Sequence, residues 1–310
     1  IFGSRGLGDV YKRQLILIVL FTYSCETIDE IENNQIEISY PVDYLFNHDG
    51  INRNYTLYKP NNLREGAPLI FVLHGYGSNS KNIMRYSQMN DIANRNGFAV
   101  CYPQGSVNYY TNSTHWNANL KQMSNVNDAD FLSKLATFLQ GEHDLSKENT
   151  FVGGMSNGGF MSYTLACNKS NIFSGIASVT GTMSGYDWGN CNPDKPIPIL
   201  QISGTVDYVV PMDGSMSTAG GWGGAPEINK IIEYWSDLNS CDKKEIVQIA
   251  NVNQNDNSYV ILEKNYNENQ SNEVWLYTIH GGGHTWPGAW GNMDISASEE
   301  IWSFFKKHLK

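Results

Sequence analysis

The 310-residue chain has few basic side chains, few cysteines and no long apolar run outside its first residues. It carries 21 Lys and Arg against 31 Asp and Glu, a formal net charge of −10, and offers no basic stripe for nucleic-acid phosphates. The five cysteines show no CxxC or Cys/His spacing typical of zinc ligands. We find no internal repeats, and the body of the chain has no run long enough to span a bilayer. We therefore expect no nucleic-acid partner and no metal site, but a globular enzyme or binding domain.

The first residues differ from the rest of the chain. Residues 1–14 show no periodicity, and we interpret them as a non-native leader. Residues 15–21 form an apolar run of the size of a signal-peptide core, and it is followed by Ser24-Cys25. This resembles a bacterial lipoprotein signal, although Thr22 stands where such a signal usually has Leu. The sequence predicts export, with Cys25 as the lipidation site and any membrane contact made only through this anchor. The alternative is an ordinary signal peptide with an incidental cysteine.

Composition divides the remainder into two parts. Residues 26–48 are polar and rich in Asn and Glu, which is typical of a tether. Residues 49–310 are interpreted as a single folded domain. The domain boundaries expected are therefore 1–25 for the leader and signal, 26–48 for the tether and 49–310 for the domain.

Four cysteines remain after Cys25, and in an exported protein they permit disulfides. Cys191 and Cys241 lie in polar, loop-like sequence and are the preferred pair. Cys101 and Cys167 lie in apolar segments and are expected to be buried thiols.

Strand and helix signals alternate through the domain. Short apolar runs bounded by turn residues predict strands at residues 69–73, 98–102, 150–152, 176–179, 197–202 and 274–279. Helical spacing of apolar residues is clearest at Ile228, Ile231, Ile232, Trp235 and Leu238, and recurs at Leu132, Leu135 and Leu139 and at Ile301, Phe304 and Phe305. This alternation predicts an α/β fold with a mostly parallel central sheet and helices on both of its faces.

The strongest local motif surrounds Ser156. Gly154-Met155-Ser156-Asn157-Gly158 directly follows a predicted strand and precedes a segment able to form a helix. A serine on such a strand-to-helix elbow has a strained backbone, and the residues two before and two after it must be small. Gly154 and Gly158 meet that requirement, so we predict that Ser156 is a nucleophile.

A second motif precedes it in the chain. The predicted strand at residues 69–73 leads into His74-Gly75-Tyr76-Gly77. In hydrolases with such an elbow, the loop after this strand and the residue after the nucleophile each donate a backbone N–H to the oxyanion. The expected oxyanion hole therefore consists of the N–H groups of Tyr76 and Asn157, although a simple Gly-containing turn would give the same sequence.

The general base follows from the order of residues in the chain. Of seven histidines, only a few follow Ser156, as the order Ser, Asp, His requires. His284 lies in a glycine-rich loop after the strand at 274–279, whereas His280 stands at the strand's end. We predict that His284 is the base.

The acid is expected between the serine and the histidine, after a strand. Asp207 follows the predicted strand at 197–202 and could hold the His284 ring in its working tautomer. Asp213 is the runner-up.

Together these segments, HGYG, GMSNGG, GTVDYVVP and GGGHTWPG, resemble the secreted esterase family that contains poly(3-hydroxybutyrate) depolymerases, feruloyl esterases and acetylxylan esterases. The resemblance runs from about Tyr55 to the C-terminus. It implies an α/β-hydrolase fold, a Ser156–Asp207–His284 triad and two-step acyl transfer without a cofactor. It also implies that Trp286 helps to line the substrate site. Asp128 matches an Asp-rich family segment loosely and is interpreted as structural.

Aromatic residues in predicted loops offer surfaces for a sugar or a phenolic ring, and they are Tyr109, Tyr110, Trp116, Trp222, Trp286 and Trp290. We expect Trp116 and Trp286 to bind substrate. The main functional hypothesis is an exported serine esterase acting on feruloyl or acetyl esters of plant polysaccharide. The alternative is a poly- or oligo(3-hydroxybutyrate) depolymerase. A less favoured one is a non-catalytic carbohydrate-binding protein with a hydrolase fold.

Overall fold

The centre of the molecule is a strand that is apolar on both of its faces. In the computed structural model, which describes residues 39–121, 126–215, 223–269 and 271–310, the strand Leu69–Leu73 is buried throughout. Leu69, Phe71 and Leu73 belong to one core cluster, and Ile70 and Val72 to another. Because successive residues of a strand point to opposite faces, this strand needs cover on both sides.

The elements of the described residues are numbered in chain order. The strands are β1 (Val42–His48), β2 (Ile51–Tyr58), β3 (Leu69–Leu73), β4 (Ala99–Pro103), β5 (Ser106–Val107), β6 (Thr114–His115), β7 (Thr150–Met155), β8 (Ile176–Val179), β9 (Ile199–Gly204), β10 (Lys243–Gln248), β11 (Tyr259–Tyr266) and β12 (Val274–His280). The helices are α1 (Ser80–Ser87), α2 (Met89–Asn96), α3 (Asp128–Glu142), α4 (Asn157–Asn168), α5 (Gly185–Asn190), α6 (Ile228–Leu238) and α7 (Ala297–Lys307).

One large sheet of ten strands has the order β1-β2-β4-β3-β7-β8-β9-β12-β11-β10. The neighbouring pairs from β4 to β12 are all parallel, and the pairs β1–β2, β2–β4, β12–β11 and β11–β10 are antiparallel. Strands β5 and β6 form a separate short hairpin. The C-terminal ends of the parallel strands therefore share one edge, where ligands bind in open α/β sheets.

Helices cover both faces of this sheet. Buried residues of α3, α4 and α6 join the core cluster on one face, and buried residues of α1, α2 and α7 join the cluster on the other. Helix α6 shows why these helices pack on the sheet. Its buried apolar residues recur at helical spacing and so form one apolar face, and they are Ile228, Ile231, Ile232 and Trp235. The arrangement confirms the predicted α/β class with a mostly parallel sheet. No helix in the described ranges is both long and apolar enough to cross a membrane.

The predicted boundary between tether and domain, after residue 48, differs from the structure. Residues 42–48 form β1, which pairs antiparallel with β2 at the edge of the sheet, so the assignment of 26–48 to a tether is wrong for this segment. Backbone contacts divide the chain into Ile1–Glu37 and Ile38–Lys310, and every described residue belongs to the second unit. The leader, the signal segment and Cys25 lie outside the described residues.

The expected disulfide is also different. Cys191 pairs with Cys167, with a Cα–Cα distance of 4.8 Å, and not with Cys241. Cys241 is a half-buried free thiol, and Cys101 is a buried one. The pairing joins the C-terminal part of α4 to the end of α5, two elements that lie next to each other only in the fold.

Asp128 has the structural environment that was expected of it. Its side chain is buried at the start of α3, where Oδ1 accepts a 2.7 Å hydrogen bond from the Arg53 guanidinium. Oδ2 accepts a second bond, also 2.7 Å long, from the backbone N–H of Asn117. The carboxylate thereby ties β2 and α3 to the loop that follows β6.

Candidate active site

Ser156 occupies a sharp turn between β7 and α4. It has φ 54° and ψ −117°, a conformation that costs a non-glycine residue about 1–3 kcal/mol. Its N–H donates to Val179 O at 2.9 Å, which fixes the turn against the next strand. The flanking glycines allow the close approach, because a Cβ on Gly154 would lie 2.5 Å from the Gly158 backbone and one on Gly158 would lie 2.4 Å from Leu73 O. The elbow expected from the sequence is therefore present.

His284 and Asp207 form a hydrogen-bonded pair. Nδ1 of His284 lies 2.8 Å from Oδ2 of the buried Asp207 carboxylate. The other oxygen, Oδ1, accepts from the N–H groups of Val209 and Val210, each at 2.9 Å. An ionised carboxylate can only accept hydrogen bonds, so the bond to Asp207 requires a proton on Nδ1 of His284. Nε2 is then the basic nitrogen of the ring.

The loops that carry this pair are bonded to each other. Strands β9 and β12 are parallel neighbours, and Val206 N–H donates to Gly282 O at 2.9 Å just beyond them. A Cβ on Gly204 would lie 2.2 Å from Gly282 O, so the two loops are in direct contact. Strand β7 lies two positions from β9, about 10 Å away, and Ser156 follows it at the same edge. The sheet thus places all three predicted triad residues at the C-terminal ends of its parallel strands.

The runner-up residues have other environments. Asp213 is exposed, and its Oδ1 accepts from Ser215 N–H at 2.9 Å. The ring of His280 stacks on Tyr259 with a centroid distance of 4.4 Å. Neither is part of the pair that His284 and Asp207 form.

The expected oxyanion residues lie next to the elbow. Asn157 is the first residue of α4, where a backbone N–H has no acceptor within the helix. Tyr76 lies in the loop after β3, and a Cβ on the preceding Gly75 would lie 3.5 Å from the Cβ of Ser156. The positive end of the α4 dipole is directed at the same place.

His74 holds the shape of this loop. Its buried ring donates from Nδ1 to Gly75 O at 2.8 Å and accepts at Nε2 from Gly105 N–H at 2.9 Å. Burial lowers the pKa of His74 to about 4, so the imidazole is neutral and keeps this tautomer. The sequence rejected His74 as a base because it precedes Ser156. In the structure its ring bonds to the backbone of Gly75 and Gly105, and its Nε2 lies 3.2 Å from the side-chain Nε2 of Gln104.

Trp116 and Trp286 do not present surfaces to a substrate. Their exposed fractions are 0% and 1%, so the expectation that they stack on substrate is wrong. The indole N–H of Trp116 donates to His74 O at 2.9 Å, and that of Trp286 donates to Ser298 Oγ at 3.0 Å. Both rings are buried and anchor loops of the site through these hydrogen bonds.

Exposed aromatic side chains occur instead in loops that leave the sheet at this edge, or in a loop beside His74–Gly77, the segment after β3 that we call the oxyanion loop. Tyr208, directly after Asp207, is 88% exposed, and Trp290, in the loop after His284, is 69% exposed. Tyr109 and Tyr110 are exposed in the loop between β5 and β6, whose Thr111 accepts a 2.5 Å hydrogen bond from the Tyr76 hydroxyl. The sequence singled out these residues except Tyr208, whose position beside the predicted acid was the available signal.

One group of possible metal ligands lies elsewhere in the described ranges. Ligand atoms of His48, Asp49 and Asp130 lie within 4.8 Å of one another near β1, four positions from β7 in the sheet. The Lys134 ammonium pairs with both carboxylates, at 3.2 Å from Asp49 and 2.8 Å from Asp130. The group is an ion-pair network, and it has no part in the site at Ser156.

Comparison with known proteins finds esterases. The profile of the family described as esterase PHB depolymerase matches residues 53–213. The "Putative esterase NocK" of Nocardia uniformis subsp. tsuyamanensis is 30% identical over 73% of this chain and 67% of its own length. Feruloyl esterase C of Emericella nidulans is 30% identical over 54% of this chain and 59% of its own. The bifunctional acetylxylan esterase/xylanase XynS20E of Neocallimastix patriciarum is 24% identical over 52% of this chain, which spans only 22% of that protein.

Solved structures support the fold. An acetyl xylan esterase from Aspergillus awamori superposes with a TM-score of 0.60 at 15% identity, over 86% of this chain and 99% of its own. The esterase PE8 gives a TM-score of 0.52 at 18% identity, over 82% and 99%. At these identities the two structures show that the architecture of the chain is that of esterases with an α/β-hydrolase fold.

Proposed function

The chain belongs to the esterase PHB depolymerase family, a family of carboxylic ester hydrolases, and from this premise we propose that it cleaves esters with Ser156 as the nucleophile. The observation that carries the proposal is the 2.8 Å hydrogen bond between His284 and Asp207, at the same sheet edge as the strained Ser156. A buried carboxylate that fixes an imidazole, beside a serine on an elbow, is the arrangement that activates a hydroxyl for acyl transfer.

The first half-reaction transfers the acyl group to the enzyme. Nε2 of His284 takes the proton of Ser156 as Oγ attacks the ester carbonyl carbon. The N–H groups of Tyr76 and Asn157 hold the negative oxygen of the tetrahedral intermediate. The bond from the carbonyl carbon to the alcohol oxygen then breaks, and His284 returns its proton to the leaving alcohol.

The second half-reaction frees the acid. His284 takes a proton from water, which attacks the acyl carbon, and the bond from that carbon to Oγ breaks as Ser156 regains a proton. The Asp207 carboxylate stabilises the imidazolium that forms in each half. The products are one carboxylic acid and one alcohol, and the steps are complete without a cofactor.

We propose feruloyl or acetyl esters of plant polysaccharide as the substrates. The support is that matched relatives are named feruloyl esterase C and acetylxylan esterase/xylanase. The family description favours the alternative, a poly- or oligo(3-hydroxybutyrate) depolymerase. The non-catalytic binding protein is disfavoured, because such a protein has no need for a strained serine and a hydrogen-bonded His–Asp pair.

We also propose that the protein is exported, with Cys25 as the lipid attachment site. The apolar run at 15–21 and the following cysteine support this from the sequence. The Cys167–Cys191 disulfide supports it from the structure, because disulfides persist in oxidising compartments.

The test is hydrolysis by the purified protein of methyl ferulate, acetylated xylan and short 3-hydroxybutyrate oligomers, with Ser156→Ala as the inactive control. Preference for ferulate or acetylated xylan supports the carbohydrate-ester proposal, and preference for the oligomers supports the alternative. No hydrolysis of any of the three by a folded protein contradicts both.

A further inference from the structure

A cavity of about 340 Å³ opens beside the proposed nucleophile. One wall consists of Gly75, in the oxyanion loop, and Met155, which directly precedes Ser156. Helix α1 contributes Ile83, Arg85 and Tyr86 to the lining. The volume suits a small organic group, and the cavity adjoins the place where the ester carbonyl must lie.

Helix α1 is fixed between the loops that carry the proposed catalytic groups. The Asn79 side chain caps its first turn by accepting from Asn82 N–H, and Ile83 is buried in the core. The Tyr86 hydroxyl accepts from the backbone N–H of Trp286 at 3.3 Å, close in the chain to His284. A group in the cavity would therefore be held rigidly relative to Ser156.

Arg85 is the cationic side chain of this lining. Its Nη2 donates to Asn82 Oδ1 at 2.6 Å, which orients the guanidinium. None of the ion pairs between described residues includes Arg85. Arg95, which occupies the matching last turn of α2, pairs with Glu299. Arg85 thus lines the cavity with its charge unmatched in the described part of a strongly acidic chain.

We propose that Arg85 binds a carboxylate of the substrate, so that this enzyme prefers esters whose acyl or alcohol part carries a second, free carboxylate. The inference rests on the proposed function of Ser156. A guanidinium binds a carboxylate with two parallel hydrogen bonds, and Ile83 and Met155 offer apolar contact to the carbon chain between carboxylate and ester. The free end of a hydroxy-acid oligomer and a uronic acid beside an esterified sugar both supply this chemistry.

A structural role for Arg85 makes a different prediction. A cation in the last turn of a helix stabilises it through the helix dipole, whatever the substrate. Loss of that interaction lowers stability and leaves the choice between substrates unchanged. Substrate selectivity is therefore the deciding readout.

The experiment compares two matched substrate pairs. The first pair is the 3-hydroxybutyrate dimer with a terminal carboxylate or a terminal carboxamide. The second is an acetylated xylo-oligosaccharide with or without a glucuronic acid branch. For each pair the ratio of kcat/KM, charged over neutral, is measured for the unaltered protein, Arg85→Gln and Arg85→Lys. Arg64→Gln is the control, since Arg64 is exposed and precedes β3 at the opposite edge of the sheet.

We expect the unaltered protein to prefer the charged member of at least one pair, and that pair identifies the source of the carboxylate. Arg85→Gln should reduce this ratio by about tenfold, the effect of losing one charge-assisted contact. Arg85→Lys should restore it in part, and Arg64→Gln should leave it unchanged. Hydrolysis with the same ratio in the unaltered protein and Arg85→Gln overturns this inference alone. No hydrolysis of the four compounds by a protein that still hydrolyses methyl ferulate also overturns this inference alone. No hydrolysis of the four compounds or of methyl ferulate contradicts the proposed function and this inference with it.

Discussion

The side-chain amide of Asn157 forms two hydrogen bonds with the backbone of Trp116. Oδ1 accepts from Trp116 N–H at 2.7 Å, and Nδ2 donates to Trp116 O at 3.0 Å. The Trp116 indole in turn donates to the carbonyl of His74, the first residue of the oxyanion loop. The oxyanion loop and the first turn of α4, which would supply the two N–H groups of the oxyanion hole, are thereby connected through buried hydrogen bonds.

Asn157→Ala should weaken both stability and catalysis. The substitution leaves the buried N–H of Trp116 without its partner, whereas Trp116 O keeps a bond from Ala118 N–H, and the free energy of unfolding should fall by about 2 kcal/mol. It keeps the backbone N–H of residue 157, yet kcat should fall about tenfold as the oxyanion loop loses its support. Urea unfolding and ester hydrolysis measure the two effects. Asn190→Ala, at an exposed helix end, is the control. An unchanged kcat in Asn157→Ala would show that the hydrogen bonds between Asn157 and Trp116 contribute to stability only.

His74 should make the protein less stable in mild acid. Its ordinary pKa of 6.5 applies to the unfolded chain, and burial lowers the pKa to about 4 in the folded protein. Between these values the unfolded chain binds a proton that the folded protein does not. The free energy of unfolding should therefore fall as pH falls from 6.5 to 4, by on the order of 3 kcal/mol for this residue.

The measurement is urea unfolding between pH 4 and 7. Burial also lowers the pKa of His308 to about 4, so His74→Gln and His308→Gln should each flatten the dependence, and the double variant should flatten it most. An equally steep dependence in the double variant would contradict this assignment.

Two glycine-to-alanine substitutions, one at the elbow and one in helix α3, should have opposite effects on the stability of the protein. Gly154→Ala places a Cβ 2.5 Å from the Gly158 backbone, so it should destabilise the fold by about 3 kcal/mol or more. Gly141→Ala, near the end of α3, meets nothing within 4 Å and should stabilise it by about 0.5–1 kcal/mol. Thermal unfolding of both variants tests this, and similar melting temperatures would mean that the elbow is less crowded than the structure indicates.

Removal of the Cys167–Cys191 disulfide should lower stability. The bond closes a loop with a sequence separation of 24, for which the expected loss in Cys191→Ser is about 3 kcal/mol. Cys241→Ser, at a free thiol, should have little effect. Peptide mapping without reductant should recover a linked 167–191 fragment, whereas a 191–241 fragment would restore the pairing expected from the sequence.

The sequence predicted the parallel core of the sheet because its strands are buried on both faces and therefore appear as continuous apolar runs. β3 and β8 have the predicted bounds. The antiparallel flanks were missed, since β1 and β10 are exposed along most of their length and carry polar residues without a run. Strand identity was thus predictable where burial dictates composition, and not at the sheet edges.

The candidate site shows the same division. The placement of Ser156, Asp207 and His284 at one edge of the sheet was predictable, because strand, loop and chain order constrain each of them. The burial of Trp116 and the partner of Cys191 depend on contacts between segments far apart in the chain, which composition does not encode. A tryptophan in a loop has the same sequence signature whether it covers the core or faces a substrate.

Covalent labelling tests the central claim, that Ser156 is a nucleophile activated by His284 and Asp207, most directly. A fluorophosphonate should add one adduct to the intact protein, and peptide mass spectrometry should place it on Ser156. Labelling should be lost in Ser156→Ala and about 10³-fold slower in Asp207→Asn, whose amide cannot hold the imidazole in the same tautomer. It should keep its rate in Asp213→Asn, where the carboxylate is exposed and bonded to Ser215. An adduct on another residue, or equal rates in Asp207→Asn and Asp213→Asn, would contradict the account.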